Sequence, residues 1–340
     1  MCLLCLKNMR AQILELLAGR KIESKPAFSG LIHVTSAGVE SEGLSFPEIH
    51  RDAEKMAKAA ASTFRLTGFP SAVAPLDMLV EAEALGAQID FRENGNYEFP
   101  RVAKFLFSSS RKLTTESTEN SEILNRGRVK MVFEAIAKLK NDIGNEAVIG
   151  GLIPGPYTLL LFLVESGALF TEMKREPQVV QDALFHLASL LAKIGQAYRN
   201  AGADFITIHD MGGSPGFIGP AKFEQFVFPA QRQLIANLPK PRVLSVCGNT
   251  NKSMHLLAQT GADAISVDQT NDLTASRTAL KDTLLFGDID PVVMLWQGGE
   301  YQVRDAVIRA ERSGVDAVWP GCDLVPQTSL ENVKAIIVKK

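Results

Sequence analysis

Eight short runs of this chain are apolar almost from end to end, and each gives way at once to turn or polar residues. They lie at residues 26–34, 71–74, 147–152, 204–210, 242–247, 264–268, 283–287 and 317–322. A strand with one wet face alternates apolar and polar residues. A run without that alternation is covered on both faces, as the strands of a parallel sheet are. Helical spacing fills the intervals, at 9–18, 53–66, 77–85, 126–143, 177–201 and 222–238. The alternation predicts an α/β protein. Eight such units favour a (β/α)8 TIM barrel with an N-terminal helical extension over an open doubly wound sheet. No GxGxxG turn follows the first run, which also speaks against a dinucleotide fold. The chain, residues 1–340, reads as a single barrel domain. Residues 1–20 form a tail and a helix, and the polar, Ser/Thr-rich stretch 94–125 is a long excursion.

In a barrel of this kind the active site is built from the C-terminal ends of the strands. The ends of these runs therefore form a reading list. They supply the His33 region, Asp77, Gly155, His209 with Asp210, Cys247 with Gly248 and Asn249, Asp268 with Gln269, Asp288, and Cys322. Two thiols at the ends of two buried runs point to a soft metal, a redox pair or a nucleophile. Zinc fits such a pair when a third protein ligand joins it. His209 is the first candidate for that place because it ends its own run, and His33 is the second. Asp210, Asp268 and Asp288 offer oxygen, and Asp77 reads equally as a helix N-cap or a mouth carboxylate. Ser245 shares a face with Cys247, but a neutral hydroxyl is a poor zinc ligand. A zinc–thiolate site suits thiol activation, and an activated thiolate can accept a methyl group.

Bulk properties narrow the partners. With 36 basic and 38 acidic residues the net charge is −2, which gives no long-range attraction to nucleic acid or an anionic membrane. No apolar run approaches the roughly 18 residues that span a bilayer. Four cysteines do not make a disulfide framework, and the start of the chain is a poor signal peptide. A cytoplasmic protein is expected. Cys2 and Cys5 have CxxC spacing but read as part of an inert tail.

These motifs give the chain a family likeness. Gly155-Pro156-Tyr157-Thr158-Leu159, Val246-Cys247-Gly248-Asn249-Thr250, Ile265-Ser266-Val267-Asp268-Gln269, Gly287-Asp288-Ile289-Asp290-Pro291 and Pro320-Gly321-Cys322 resemble the uroporphyrinogen decarboxylase superfamily. Within it the chain is similar to the methylcobamide:coenzyme M methyltransferases, over roughly residues 9–338. The resemblance implies a zinc-dependent transfer of methyl from a methylcobamide on a small corrinoid protein to a thiol such as coenzyme M. It carries zinc ligation onto Cys247 and Cys322. It makes Asp77 or Asp268 a substrate-orienting carboxylate, and Gly155, Asn249 and Gln269 cofactor-binding positions. The family's zinc motif is His-x-Cys with a distant Cys, and Ser245 stands where that histidine belongs. The loop 212–216 is a candidate docking rim for the corrinoid protein. Two alternatives remain: a porphyrinogen decarboxylase, and a corrinoid-protein-binding relative without catalysis. The first is disfavoured by Phe162 where the decarboxylases carry tyrosine, by Cys322 where they carry histidine, and by the lack of arginine at 34–39.

Overall fold

The computed structural model describes residues 3–115 and 122–337. The strands among them are β1 (Ser71–Ala74), β2 (Gln88–Asp90), β3 (Arg101–Lys104), β4 (Val148–Pro154), β5 (Phe205–His209), β6 (Arg242–Val246), β7 (Ala264–Val267), β8 (Leu284–Ile289) and β9 (Ala317–Pro320). Seven of them form one parallel sheet in the order β1-β4-β5-β6-β7-β8-β9. Every residue of β1, β4, β5, β6, β7 and β9 is buried, as strands without alternation require. Helices separate successive strands, the longest being Pro177–Ala201, which Pro177 opens and Gly202 closes in the left-handed region.

The first run differs from its expectation. Residues 26–34 do not form a full strand; only Ala27 bridges to Val318. Val318 N donates to Pro26 O at 2.9 Å and Phe28 N to Val318 O at 3.2 Å. Beyond Phe28 side chains capture the backbone. Ser29 Oγ accepts from Leu31 N, and His33 Nδ1 lies 2.7 Å from Leu31 O. Such local bonds compete with a ladder. The segment still closes the barrel, because its other side reaches β1. Ser29 N donates to Ser71 Oγ at 2.9 Å, and His33 Nε2 lies 2.9 Å from Ser71 O. Gly30 is required here: a Cβ would stand 2.1 Å from Thr207 Oγ1 and 2.9 Å from the Trp319 ring. The architecture is thus a (β/α) barrel of seven paired strands with one irregular stave.

The lower interior is filled by aromatic rings. Phe28 makes edge contacts with Phe205, Phe286 and Trp319 at centroid separations of 6.0, 5.5 and 5.1 Å. The N-terminal helix Leu3–Leu17 begins earlier than its pattern predicts and packs Ile13, Leu16 and Leu17 into the core. Its Arg10 bonds Ala147 O and Asp204, which ties the helix beside the starts of β4 and β5. Cys2 lies outside the described residues. The excursion contains structure the composition hid: its β3 pairs antiparallel with β2, which lies just before it, as a hairpin. The helix expected over 222–238 divides into a π-turn, Phe223–Val227, and a helix, Phe228–Ala236. Pro229 supplies no N–H at that junction. No helix among the described residues is long and apolar enough to cross a membrane.

Candidate metal and substrate site

Strand register brings the cluster together. His209, the last residue of β5, pairs with Ser245 of β6. Register partners share a face and so do residues two apart, so Cys247 projects beside His209, one step beyond Ser245. Cys322 arrives from the far side of the mouth, just after β9. The His209, Cys247 and Cys322 ligand atoms lie within 4.8 Å of one another. Cys247 Sγ is 2.7 Å from Cys322 Sγ, and His209 Nε2 is 3.2 Å from Cys247 Sγ and 3.7 Å from Cys322 Sγ. Both thiols are free. The turn after Cys247 is pinned by Asp268, whose Oδ2 accepts from Gly248 N. Asp268 Oδ1 accepts from the Thr270 N–H and hydroxyl and from Asn271 Nδ2. Gly248 has φ +84°, a conformation only glycine adopts without strain.

Asp323 stands behind the imidazole. Its Oδ2 is 3.6 Å from His209 Nδ1, and its Oδ1 accepts from Ile32 N at 2.8 Å. Burial disfavours a charged His209, but the Asp323 carboxylate and the Cys322 sulfur outweigh it and hold its pKa up at about 9. Burial pushes Asp323 up to about 6 against the pull of that imidazolium. The hydrogen bond from Cys247, with His209 adding to it, holds Cys322 well below the ordinary thiol range. The same contact raises Cys247 well above it. These directions favour charge on Cys322 and on His209, with the Cys247 thiol donating to the Cys322 sulfur. Below it, the buried hydroxyls of Thr207, Ser245 and Ser266 and one oxygen of Asp288 have no hydrogen-bond partner among the described residues.

The other predicted positions fall elsewhere. Asp77 is buried 27 residues from its partner His50 and 51 from its partner Arg128. Its Oδ2 accepts from His50 Nδ1 at 2.9 Å and Arg128 Nη1 at 2.6 Å, and its Oδ1 from Arg128 Nη2 and Leu79 N. Burial opposes its charge, yet Arg128 and His50 together hold its carboxyl well below the usual carboxylate range. Gly155 is not open to the mouth: a Cβ on it would lie 2.0 Å from Asp210 Cγ. It lets Asp210 reach the start of the helix Pro156–Leu163 and accept from the Thr158 N–H and hydroxyl. Those bonds, with one from Gln231, remove Asp210 from the ligand candidates. His33 is removed too, since both of its ring nitrogens face backbone carbonyls. Asn249 and Gln269 are exposed on the rim, where Asn249 Oδ1 accepts from Asn251.

Sequence reasoning passed over Asp323, Arg128 and His50. Asp323 had a usable signal, since it directly follows a strand-end cysteine. Arg128 and His50 had none, because only the fold brings them to Asp77.

Two sulfurs and an imidazole are the donor set that zinc selects. Tetrahedral bonds of about 2.0–2.3 Å space neighbouring ligand atoms roughly 3.3–3.8 Å apart. One nitrogen–sulfur separation, 3.7 Å, lies at that spacing and the other, 3.2 Å, just below it; the sulfur–sulfur separation, 2.7 Å, is clearly shorter. A (β/α) barrel with this trio at the C-terminal mouth of its strands defines a class: barrel proteins with a sulfur–imidazole cluster that could hold a metal ion. The chain belongs to the uroporphyrinogen decarboxylase (URO-D) family, whose model matches residues 9–338. It is 28% identical to methylcobamide:CoM methyltransferase MtbA of Methanosarcina acetivorans over 331 residues, 96% of each chain. It is 26% identical to methylcobamide:CoM methyltransferase MtaA of Methanosarcina barkeri over 339 residues, 98% of this chain and 97% of the other. A solved methyltransferase from Methanosarcina mazei superposes with a TM-score of 0.90 at 26% identity, covering 97% of each chain.

Proposed function

We propose that this chain is a corrinoid-dependent thiol methyltransferase, moving methyl from a methylated corrinoid protein to a small thiol. Coenzyme M is the acceptor named for its relatives MtbA and MtaA. The observation that carries the reading is the convergence of His209, Cys247 and Cys322 within 4.8 Å at the barrel mouth. These three residues would hold zinc. Bound there, zinc supplies Lewis acidity that keeps a substrate thiol as thiolate at neutral pH. The chain's own groups prepare that site. The Asp323 carboxylate, 3.6 Å from Nδ1, favours a proton on that nitrogen and so leaves Nε2 facing the sulfurs, the part that second partners of metal-bound histidines play. Asp268 positions the Cys247–Gly248 turn rather than touching substrate. Asp77 holds one wall of the neighbouring pocket through Arg128. The exposed rim residues Asn249 and Gln269, with Met211 and Phe217 beside the loop 212–216, face the corrinoid protein. A reducing compartment such as the cytoplasm keeps both cysteines as thiols.

The imidazole reaches the cluster from β5, next to the family's histidine position on β6. This predicts a specific rescue. His209→Ala should lose zinc, and adding Ser245→His to it should restore zinc by supplying nitrogen from the register partner. Metal analysis after dialysis, with S-methylation of a thiol by methylcobalamin as the activity assay, reads the outcome. Less than about a tenth of an equivalent of zinc in the unmodified protein from zinc-replete medium sinks the zinc assignment.

A further inference from the structure

Two cysteines that can share a metal can also be joined to each other. Cys247 Sγ and Cys322 Sγ lie 2.7 Å apart, although 75 residues separate them in the chain. A disulfide bond is about 2.05 Å long, so each sulfur is roughly a third of an ångström from bonding distance. The closeness is built into the backbone as well as the side chains. Asp268 braces both segments. Its Oδ2 accepts from the N–H of Gly248, the residue after Cys247. Gly321, the residue before Cys322, packs so tightly on it that a Cβ there would stand 2.8 Å from Asp268 Cα. Gly321 N donates to Ile289 O at 2.8 Å, and Asp323 Oδ1 accepts from Ile32 N at 2.8 Å, which holds the turn carrying Cys322 from either side.

The pair is also asymmetric and reachable. The Cys247 thiol donates to the Cys322 sulfur, so Cys322 receives a hydrogen bond and Cys247 stands beside it as a resolving thiol. Redox-sensing cysteines share that layout. Both sulfurs belong to partly exposed residues at the mouth, where a small oxidant meets them without unfolding.

We propose that Cys247 and Cys322 are a redox couple as well as a ligand pair: in the metal-free chain a peroxide joins them in a disulfide, which shuts out zinc until a dithiol reopens it. The inference rests on the assignment of zinc to these residues and adds a regulation to it. The Cys322 sulfur attacks one peroxide oxygen, the oxygen–oxygen bond breaks, and water leaves with the Cys322 proton, giving a sulfenic acid. The Cys247 sulfur then bonds the Cys322 sulfur, the sulfur–oxygen bond breaks, and a second water leaves with the Cys247 proton. The two sulfurs are oxidised and the two peroxide oxygens reduced. Metal and bridge draw on the same two sulfurs, so each excludes the other.

The full chain, reduced and stripped of metal by a chelator, is treated with hydrogen peroxide beside a zinc-loaded sample. Non-reducing peptide maps and intact masses read the product, and metal analysis reads zinc uptake. The metal-free chain should form the Cys247–Cys322 bridge at least about tenfold faster than the zinc-loaded chain. Once bridged it should take up under about a tenth of an equivalent of zinc, and dithiothreitol should restore uptake. Cys247→Ser should stop at the sulfenic acid on Cys322, which dimedone traps. Oxidation of Cys322 without the bridge in the unmodified chain, a bridge to Cys2 or Cys5 instead, or undiminished zinc uptake after bridging overturns the proposal. The two layers fail separately. Zinc uptake by the reduced chain with no bridge under peroxide overturns the switch and leaves the zinc assignment standing. A bridge in a chain that takes up no zinc even when reduced overturns the zinc assignment and the metal half of the switch, and leaves the redox pair.

Discussion

Two buried polar clusters sit at the same end of this barrel, and they are built on opposite principles. Around Asp77 each carboxylate oxygen accepts two hydrogen bonds, and the Arg128 guanidinium is divided between Asp77, Glu83 and the His50 carbonyl. Arg128 also lies over the Phe91 ring at 4.9 Å. In that cluster the carboxylate and the guanidinium are fully engaged, and only His50 Nε2 has no hydrogen-bond partner among the described residues. Around His209 the partners are two sulfurs and one carboxylate, and Nδ1 has no hydrogen bond. The first cluster neutralises a buried carboxylate with a guanidinium; the second gathers two sulfurs and an imidazole, a donor set that could hold a metal ion. Burial alone does not separate the two, since Asp77 and His209 are equally hidden from water.

The sharpest way to break the comparison is to remove one member from each. Cys322→Ala should take bound zinc from about one equivalent to under a tenth, with the melting temperature of the metal-free protein nearly unchanged. Arg128→Ala should do the reverse. It strands the buried Asp77 charge and should cost about 3–5 kcal/mol by urea unfolding, while leaving the metal ligands intact. Should Arg128→Ala lose zinc without losing stability, the division drawn here is wrong. Asp323→Asn is the intermediate case, because it touches the open cluster from behind. A tenfold to hundredfold drop in zinc affinity, read by chelator competition, is expected for loss of such a supporting carboxylate.

The smallest effect concerns Glu81, which lies beyond Asp77. It is fully buried, and burial pushes its carboxyl up to about 8. Its Oε1 is 3.3 Å from the Tyr198 hydroxyl and its Oε2 has no partner. The folded chain therefore keeps this proton while the unfolded chain releases it near the ordinary glutamate pKa of about 4.3. Stability should fall as pH rises from about 5 to 8, because the unfolded state then binds fewer protons. Glu81→Gln should flatten that slope, and unfolding curves at pH 5 and pH 8 measure it. An unchanged slope would show that Glu81 is ionised in the fold.

Much of this was legible in the chain. Unbroken apolar runs gave the parallel strands and their ends, and strand ends gave His209, Cys247 and Cys322, because a barrel turns sequence position into a place at the mouth. The first run was misread for a physical reason: Ser29 and His33 take backbone groups that a strand would have used. Asp77 was found but not its nature, since Arg128 and His50 are distant in sequence and carry no local mark. The β2–β3 hairpin went unread, because β3 lies in a polar stretch whose composition suggested a loop.

The pairing of His209 with Ser245 across β5 and β6 has a consequence for how such proteins are found. Neighbouring positions in a parallel sheet can exchange a side-chain role while lying 36 residues apart in the chain, and the lone pair is delivered to nearly the same point in space. A search pattern written as contiguous letters loses such a site when the histidine moves one strand over. A pattern written in terms of sheet rows keeps it. Diversification of this mouth can then proceed through lateral swaps that leave both cysteines in place.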